Sequence, residues 1–131
     1  MITILLVADD RPFRERLRLA LERLEVGGEE VRFLEAANGN QALAMAAAEA
    51  PNLAVVEVGV TPYGGFGVTR DLKADPERSC PVILVLERFQ DEWLGRWCGA
   101  DALVYRPVDP FALAQAARRL LQEPVPQEAG S

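Results

Sequence analysis

The sequence predicts a doubly wound α/β domain, a single parallel five-stranded sheet with helices on both faces. Three observations predict it. Short, continuous apolar runs of strand length recur along the chain, as strands buried on both faces require. They alternate with segments of helical periodicity. Gly, Pro, Asn and Asp mark the junctions between the two. The 131 residues, 50% hydrophobic and 26% charged, suit one compact domain and leave no room for a second.

The first strand is expected over Ile2 to Ala8, an apolar run that stops at Asp9-Asp10. From Pro12 to about Leu24 the apolar residues Phe13, Leu17, Leu21 and Leu24 recur at helical spacing, with Arg14, Glu15, Arg18, Glu22 and Arg23 on the other face. Pro12 suits a first helical turn, where a missing N–H costs nothing, and Asp10 is placed to cap it. Gly27-Gly28-Glu29-Glu30 reads as a loop, and Val31 to Ala36 as the second strand. Asn38-Gly39-Asn40 turns the chain into an Ala-rich helix, Gln41 to Glu49, which ends ahead of Pro51.

Leu53 to Val58 is the third strand, followed by a glycine-rich loop, Gly59 to Gly67, and a helix from about Phe66 to Ala74. Pro81 to Leu86 is the fourth strand, Asp91 to Cys98 a short helix, and Ala102 to Tyr105 the fifth strand. Asp109-Pro110 opens the last helix with a cap and a first-turn proline; Leu113, Ala116, Ala117, Leu120 and Leu121 form its inner stripe. The domain is expected over residues 1–122, with 123–131 a polar, Pro-punctuated, disordered tail.

Charge and composition exclude several functions. Fourteen Lys+Arg against 20 Asp+Glu give a net charge of -6, which disfavours binding to nucleic acid or to an anionic membrane surface. Thirteen of the 14 cations are Arg, which reads as genome composition. With no histidine, His general acid–base catalysis, His metal ligation and His phosphorelay chemistry are absent from this chain. Cys80 and Cys98 are neither a disulfide framework nor a metal-spaced pair, and are expected as buried or half-buried thiols. The opening apolar run is too short to span a membrane and lacks the preceding basic region of a signal peptide, so a cytoplasmic protein is expected.

In doubly wound sheets ligands bind beyond the carboxyl ends of the strands, where the winding direction reverses. Asp9 and Asp10 follow the first strand, Glu57 lies near the end of the third, Leu86 closes the fourth, and Arg106-Pro107 follows the fifth. Three carboxylates and one guanidinium should converge on one rim. Crowded carboxylates invite Mg²⁺, the arginine or a proton to balance them. Asp9, Asp10 and Glu57 are therefore candidate Mg²⁺ ligands, although no cofactor is required. The competing role for the acidic pair is a helix cap plus a solvated residue.

These residues carry a family resemblance. Leu5-Leu6-Val7-Ala8-Asp9-Asp10-Arg11-Pro12-Phe13-Arg14 is similar to the opening strand and acidic pair of the receiver domain of bacterial two-component response regulators. Ala36-Ala37-Asn38-Gly39 with Ala42-Leu43 resembles its second strand-to-helix turn, Pro51 to Glu57 its phosphoacceptor strand, and Gly99 to Pro107 its fifth strand and lysine-proline signature. The resemblance extends to about Leu121 and implies a flavodoxin-like (βα)5 fold. It also implies phosphoryl transfer from a sensor kinase to an aspartate, with Mg²⁺ on the acidic pair, a hydroxyl after the fourth strand and a lysine after the fifth.

The chain departs from that pattern at the positions that carry the chemistry. Glu57 stands at the phosphoacceptor position, Leu86 at the Thr/Ser switch position, Leu103 at the aromatic switch position and Arg106 at the lysine position. The extra methylene of Glu57 moves its carboxylate roughly 1–1.5 Å, and a misplacement of about 1 Å can cost ~100-fold where a reaction depends on positioning. Leu86 cannot donate a hydrogen bond to a phosphoryl oxygen. Arg106 keeps the charge but suits a static carboxylate pair, so an Arg106–Glu57 salt bridge is expected. Glu57 is then either an acidic mimic of a phosphorylated state or a vestige that neutralises Arg106.

Three functional readings follow. The first is a pseudo-receiver, a signalling module that works by protein–protein interaction independently of phosphorylation, within a regulatory assembly. The second is a Mg²⁺-dependent phosphoacceptor of a phosphorelay with residual activity. The third, a metal-dependent hydrolase on the same sheet, is weakened because the residue two beyond Asp9 is Arg11, where a second Asp is expected. A non-enzymatic role is preferred. Trp93 and Trp97, four apart on one helical face, are either core or a partner-binding patch. In receivers the surface of the fourth helix, fifth strand and fifth helix is the usual contact face, so Trp93, Trp97 and Tyr105 are the candidate partner face, and a homodimer through the last two helices is a further expectation. The arginines Arg11, Arg14, Arg16 and Arg18 read as a solvated helix face. Gly64-Gly65-Phe66-Gly67 lacks the neighbours of a phosphate cradle and reads as a flexible loop.

Overall fold

A computed structural model describes residues 1–76 and 79–122. The elements follow in the order β1 (Ile2–Val7), α1 (Arg11–Leu21), β2 (Val31–Ala36), α2 (Gly39–Glu49), β3 (Leu53–Glu57), α3 (Gly64–Ala74), β4 (Val82–Leu86), α4 (Glu92–Trp97), β5 (Ala102–Tyr105) and α5 (Pro110–Gln122). A 3-10 turn over Phe89–Asp91 leads into α4. The five strands form one parallel sheet in the order β2-β1-β3-β4-β5. The expected doubly wound fold is therefore the observed one. The expected tail at 123–131 lies outside the described residues.

Strand periodicity divides the core in two. Ile4 and Leu6 of β1, Val55 of β3 and Ile83 and Val85 of β4 pack with Phe13, Leu17 and Leu21 of α1 and Leu113 and Ala117 of α5. Their neighbours Leu5, Val7, Ala54, Val56, Leu84 and Leu86 face the other way, onto Ala42 and Ala46 of α2, Val68 and Leu72 of α3 and Cys98 after α4. Alternate side chains point to opposite faces, so a strand apolar at every position is one covered on both sides.

Local chemistry sets the junctions. Asp10 caps α1, its carboxylate accepting from the Phe13 N–H at 3.1 Å, and Pro12 sits in the first turn. Asn38 caps α2 by accepting from Gln41 N–H at 2.8 Å, while the Gln41 side chain accepts from Ala37 N–H. Two side chains serve the strand starts from across the sheet. Asn52 Oδ1 accepts from Thr3 N–H, and Asp101 Oδ2 accepts from both Val82 N–H at 2.8 Å and Lys73 Nζ at 2.7 Å.

Several boundaries differ from the expectation. Helix α1 ends at Leu21, not near Leu24; Leu24 is still buried, held by a turn through its N–H to the Leu21 carbonyl. The larger correction concerns Gly64-Gly65-Phe66-Gly67, which is no flexible loop but the first turn of α3. Glycine is needed there for proximity. A Cβ on Gly65 would lie 2.7 Å from the Glu57 carbonyl oxygen and from Val58 Cα, so α3 approaches the end of β3 backbone to backbone.

Both cysteines are free and buried, as expected. Burial pushes the Cys80 thiol up to about 11 against the opposing pull of Lys73, and burial likewise raises Cys98. These are inert packing residues.

Gly65→Ala is expected to cost ~1–3 kcal/mol in a urea titration, because its obstacle is backbone that cannot swing aside. At Gly67 the obstacle is the half-exposed Tyr63 ring, which can move. Gly67→Ala should thus be near neutral, or gain up to ~1 kcal/mol from helix propensity. The reverse ranking would contradict the close-approach explanation.

Candidate functional site

The winding direction of the sheet reverses between β1 and β3, and the carboxyl ends of these strands open the rim where ligands bind in such folds. Asp9 and Asp10 follow β1 there, Glu57 is the last residue of β3, and Arg106 follows β5. The fold brings all four sequence-predicted groups to one end of the sheet. Their side chains, however, point to different partners.

Glu57 is buried, its side chain only 9% exposed, and Oε2 accepts a hydrogen bond from Arg106 Nη1 at 3.3 Å. The Arg106 guanidinium also lies over the Phe13 ring, 4.2 Å from its centroid, which fixes the fork from a second side. Gly59 makes room for the carboxylate: a Cβ there would lie 3.1 Å from Glu57 Oε2. Beside this pair Leu86 is fully buried, and Arg106 N–H donates to its carbonyl at 2.9 Å.

Asp10 is occupied with capping α1. Asp9 is occupied by Thr61, which donates from its N–H to Oδ1 and from its hydroxyl to Oδ2, both at 3.1 Å. The Thr61 carbonyl in turn accepts from Gly39 N–H at 2.7 Å, so one residue ties the loop after β1 to the loop after β3 and to the start of α2. Among the described residues no three His, Cys, Asp or Glu side chains come together in a way that could hold a metal ion. Asp9, Asp10 and Glu57 stand at the same end of the sheet, each with its own protein partner. In this arrangement Asp10 accepts from a backbone N–H of α1, Asp9 from Thr61 and Glu57 from the Arg106 guanidinium, and each carboxylate keeps further lone pairs.

The reading of Arg14 as part of a solvated face is also corrected. Its side chain is 11% exposed; Nη1 donates to the Ala8 carbonyl at 2.7 Å and to that of Asp9 at 3.3 Å, while Nε pairs with Glu35 at 3.0 Å. Arg14 thus satisfies the carbonyls that β1 leaves at the rim. Thr61 and Arg14 were the residues sequence reasoning missed. The signal for Thr61 was a hydroxyl in the loop after the third strand; for Arg14 there was none, since its partners are backbone groups brought near only by folding.

At the other flank Leu103 packs inward beneath α4, where Gly95 leaves it room; a Cβ on Gly95 would lie 2.9 Å from Leu103 Cδ2. Trp93 and Trp97, left open between core and patch, are not core: they are 67% and 70% exposed. Phe89 is 76% exposed, and its ring meets that of Tyr105 at 5.0 Å between centroids. The Tyr105 hydroxyl donates to Glu92. Loss of hydration and this hydrogen bond to a carboxylate push the hydroxyl up to about 12.

Two outcomes follow. In a double-mutant cycle, Glu57→Gln and Arg106→Gln should each destabilise by ~1–2 kcal/mol with a coupling of ~1 kcal/mol; a coupling near zero would mean the pair adds nothing. In alkaline titration of a Tyr63→Phe background, tyrosinate absorbance of Tyr105 should appear near pH 12. The folded value lies above the ordinary 10.0, so the stability present below pH 10 is lost as pH rises through about 12. Glu92→Gln should lower that midpoint.

No family model matches the chain. It is 37% identical over 125 residues to an uncharacterized response regulatory protein of Mycobacterium tuberculosis (strain H37Rv), covering 94% of this chain and 93% of the relative. It is 32% identical over 120 residues to Protein PilH of Pseudomonas aeruginosa, covering 89% and 96%. Among solved structures, the CheY-like response regulator receiver domain protein of Methanospirillum hungatei superposes with a TM-score of 0.75 at 26% identity, covering 92% of this chain and 94% of that one. With its five-stranded sheet, its acidic rim and a relative 37% identical along almost its whole length, the chain belongs to the response regulators of two-component signalling, as a receiver domain.

Proposed function

We propose that this receiver acts as a constitutive docking module, a pseudo-receiver whose output does not depend on phosphorylation. The observation that carries the reading is the Glu57–Arg106 pair. By the family resemblance Glu57 takes the phosphoacceptor position and Arg106 the lysine position, and here they already bind each other. An incoming phosphoryl group would have to break that contact, attack would start from a displaced carboxylate, and Leu86 offers no hydroxyl to sense the product. With Asp9 held by Thr61 and Asp10 capping α1, the rim has the hydrogen bonding of a finished structural network. The non-enzymatic role rests on the same grounds.

The docking surface of this reading is the face made by α4, β5 and α5. Phe89, Trp93 and Trp97, just before and along α4, are largely exposed, and the Phe89 ring meets that of the partly buried Tyr105. Large aromatics on one surface are typical anchors of protein–protein interfaces. Charges beside them pair with one another, in Arg88–Asp91 and Arg96–Glu92, both 3.6 Å. A protein partner with an apolar patch suits this surface; a second copy of the chain, paired through α4 and α5, is one such partner. No helix among the described residues is long and apolar enough to cross a membrane.

Intact-protein mass spectrometry after incubation with Mg²⁺ and acetyl phosphate tests the reading. No phosphate-sized mass gain is expected on the native chain, while Glu57→Asp should recover at least a fraction. A gain on the native chain would return the protein to the phosphorylated receivers and sink the proposal.

A further inference from the structure

We propose that the cleft between α1 and the β5–α5 connection is a binding site for a small amphiphile with an apolar tail and a single carboxylate head. The cleft has a volume of about 640 Å³, within the ~300–1,000 Å³ usual for small-molecule sites. Phe13, Leu17 and Ala20 of α1 form one wall, and Pro107, Val108 and Pro110 the other. Leu19, more than half exposed, extends the apolar lining. Among the described residues, the only charged ones lining it are Arg16 and Arg106.

That charge is unusual for this chain. It has 20 acidic residues against 14 basic, yet among the described residues no Asp or Glu lines the cleft. Arg14 and Arg18 of the same helix are paired, with Glu35 and Glu15. Arg16 is exposed and, among the described residues, has no hydrogen-bond or ion-pair partner. Arg106 gives a single N–H of its guanidinium to Glu57 at 3.3 Å, out of the five such donors an arginine carries, and its backbone donates to Leu86. An apolar hollow with two guanidinium groups at its border and no competing carboxylate is complementary to a fatty tail with an anionic head.

The cleft also touches the rim, because Arg106 belongs to both and rests on Phe13, which lines the cleft. A carboxylate that recruits Arg106 would draw it from Glu57. Ligand binding would then loosen the pair that holds the rim, coupling this site to the phosphoacceptor-equivalent position without any phosphoryl chemistry. The cleft shares no residue with the aromatic surface of Phe89, Trp93 and Trp97, so the two sites can be tested separately.

The test is titration of the isotope-labelled full chain with octanoate, octanol and octylammonium, followed by backbone amide shifts and calorimetry. Octanoate should bind saturably, with shifts centred on Phe13, Leu17, Ala20 and Val108, and more weakly as salt rises. Octanol should bind about tenfold weaker and octylammonium weaker still. Arg16→Glu should weaken octanoate about tenfold or more while leaving octanol unchanged. Ala20→Leu, which fills the hollow, should weaken both equally with the remaining amide spectrum preserved. The proposal fails if octanoate gives no saturable shift, if octanol binds as well as octanoate and Arg16→Glu changes neither, or if the shifts gather on Trp93 and Trp97.

Discussion

Coverage of the sheet on both faces is the constraint on which the rest of this molecule depends. The central strands β1, β3 and β4 are apolar on both sides because α1 and α5 press on one face and α2, α3 and α4 on the other. No polar group can be placed along these strands without a partner, since burying one unpaired costs on the order of 1–3 kcal/mol. Polar chemistry is therefore expelled to the strand ends. The reversal of winding between β1 and β3 then gathers Asp9, Asp10 and Glu57 at one of them.

What the rim does with those charges separates this domain from an open acidic pocket. Each carboxylate has found a protein donor: Asp10 the backbone of α1, Asp9 the backbone and hydroxyl of Thr61, Glu57 the guanidinium of Arg106. Arg14 completes the network from behind by taking the carbonyls of Ala8 and Asp9. A site satisfied internally has less to gain from an added ion than one in which like charges face each other unpaired. The same logic explains the glycines next to it. Gly59 leaves space for the Glu57 carboxylate and Gly65 lets α3 close on the end of β3, so both serve proximity.

Apolar surface is distributed as unevenly as charge. The strands β1, β3 and β4 bury their aliphatic residues almost completely, yet Phe89, Trp93, Trp97 and Phe111 are largely in solvent. Helix α4 spans six residues and turns its buried side, Gly95, onto Leu103; its small inward residue leaves no pocket for an indole. The two tryptophans consequently face outward, where large aromatics favour recognition by another protein.

The strands, the alternation with helices, and the acidic, basic and apolar residues at the strand ends were all legible in the sequence, because each is written in local periodicity and in residues adjacent along the chain. Asp10 and Asn38 as caps were legible for the same reason: their partners lie three residues away. Other features involve residues that sequence separation hides. Thr61 reaches Asp9 across 52 positions, Arg14 finds Glu35 and the β1 carbonyls, and Arg106 settles on Phe13. The exposure of Trp93 and Trp97 and the role of Gly65 depend on how closely neighbouring elements approach, which periodicity cannot encode. Composition and pattern by themselves determined which fold this chain adopts and which groups reach its rim. Only tertiary packing decided which of those groups bind one another, because hydrogen bonds and ion pairs are set by distances of a few tenths of an ångström between elements remote in sequence.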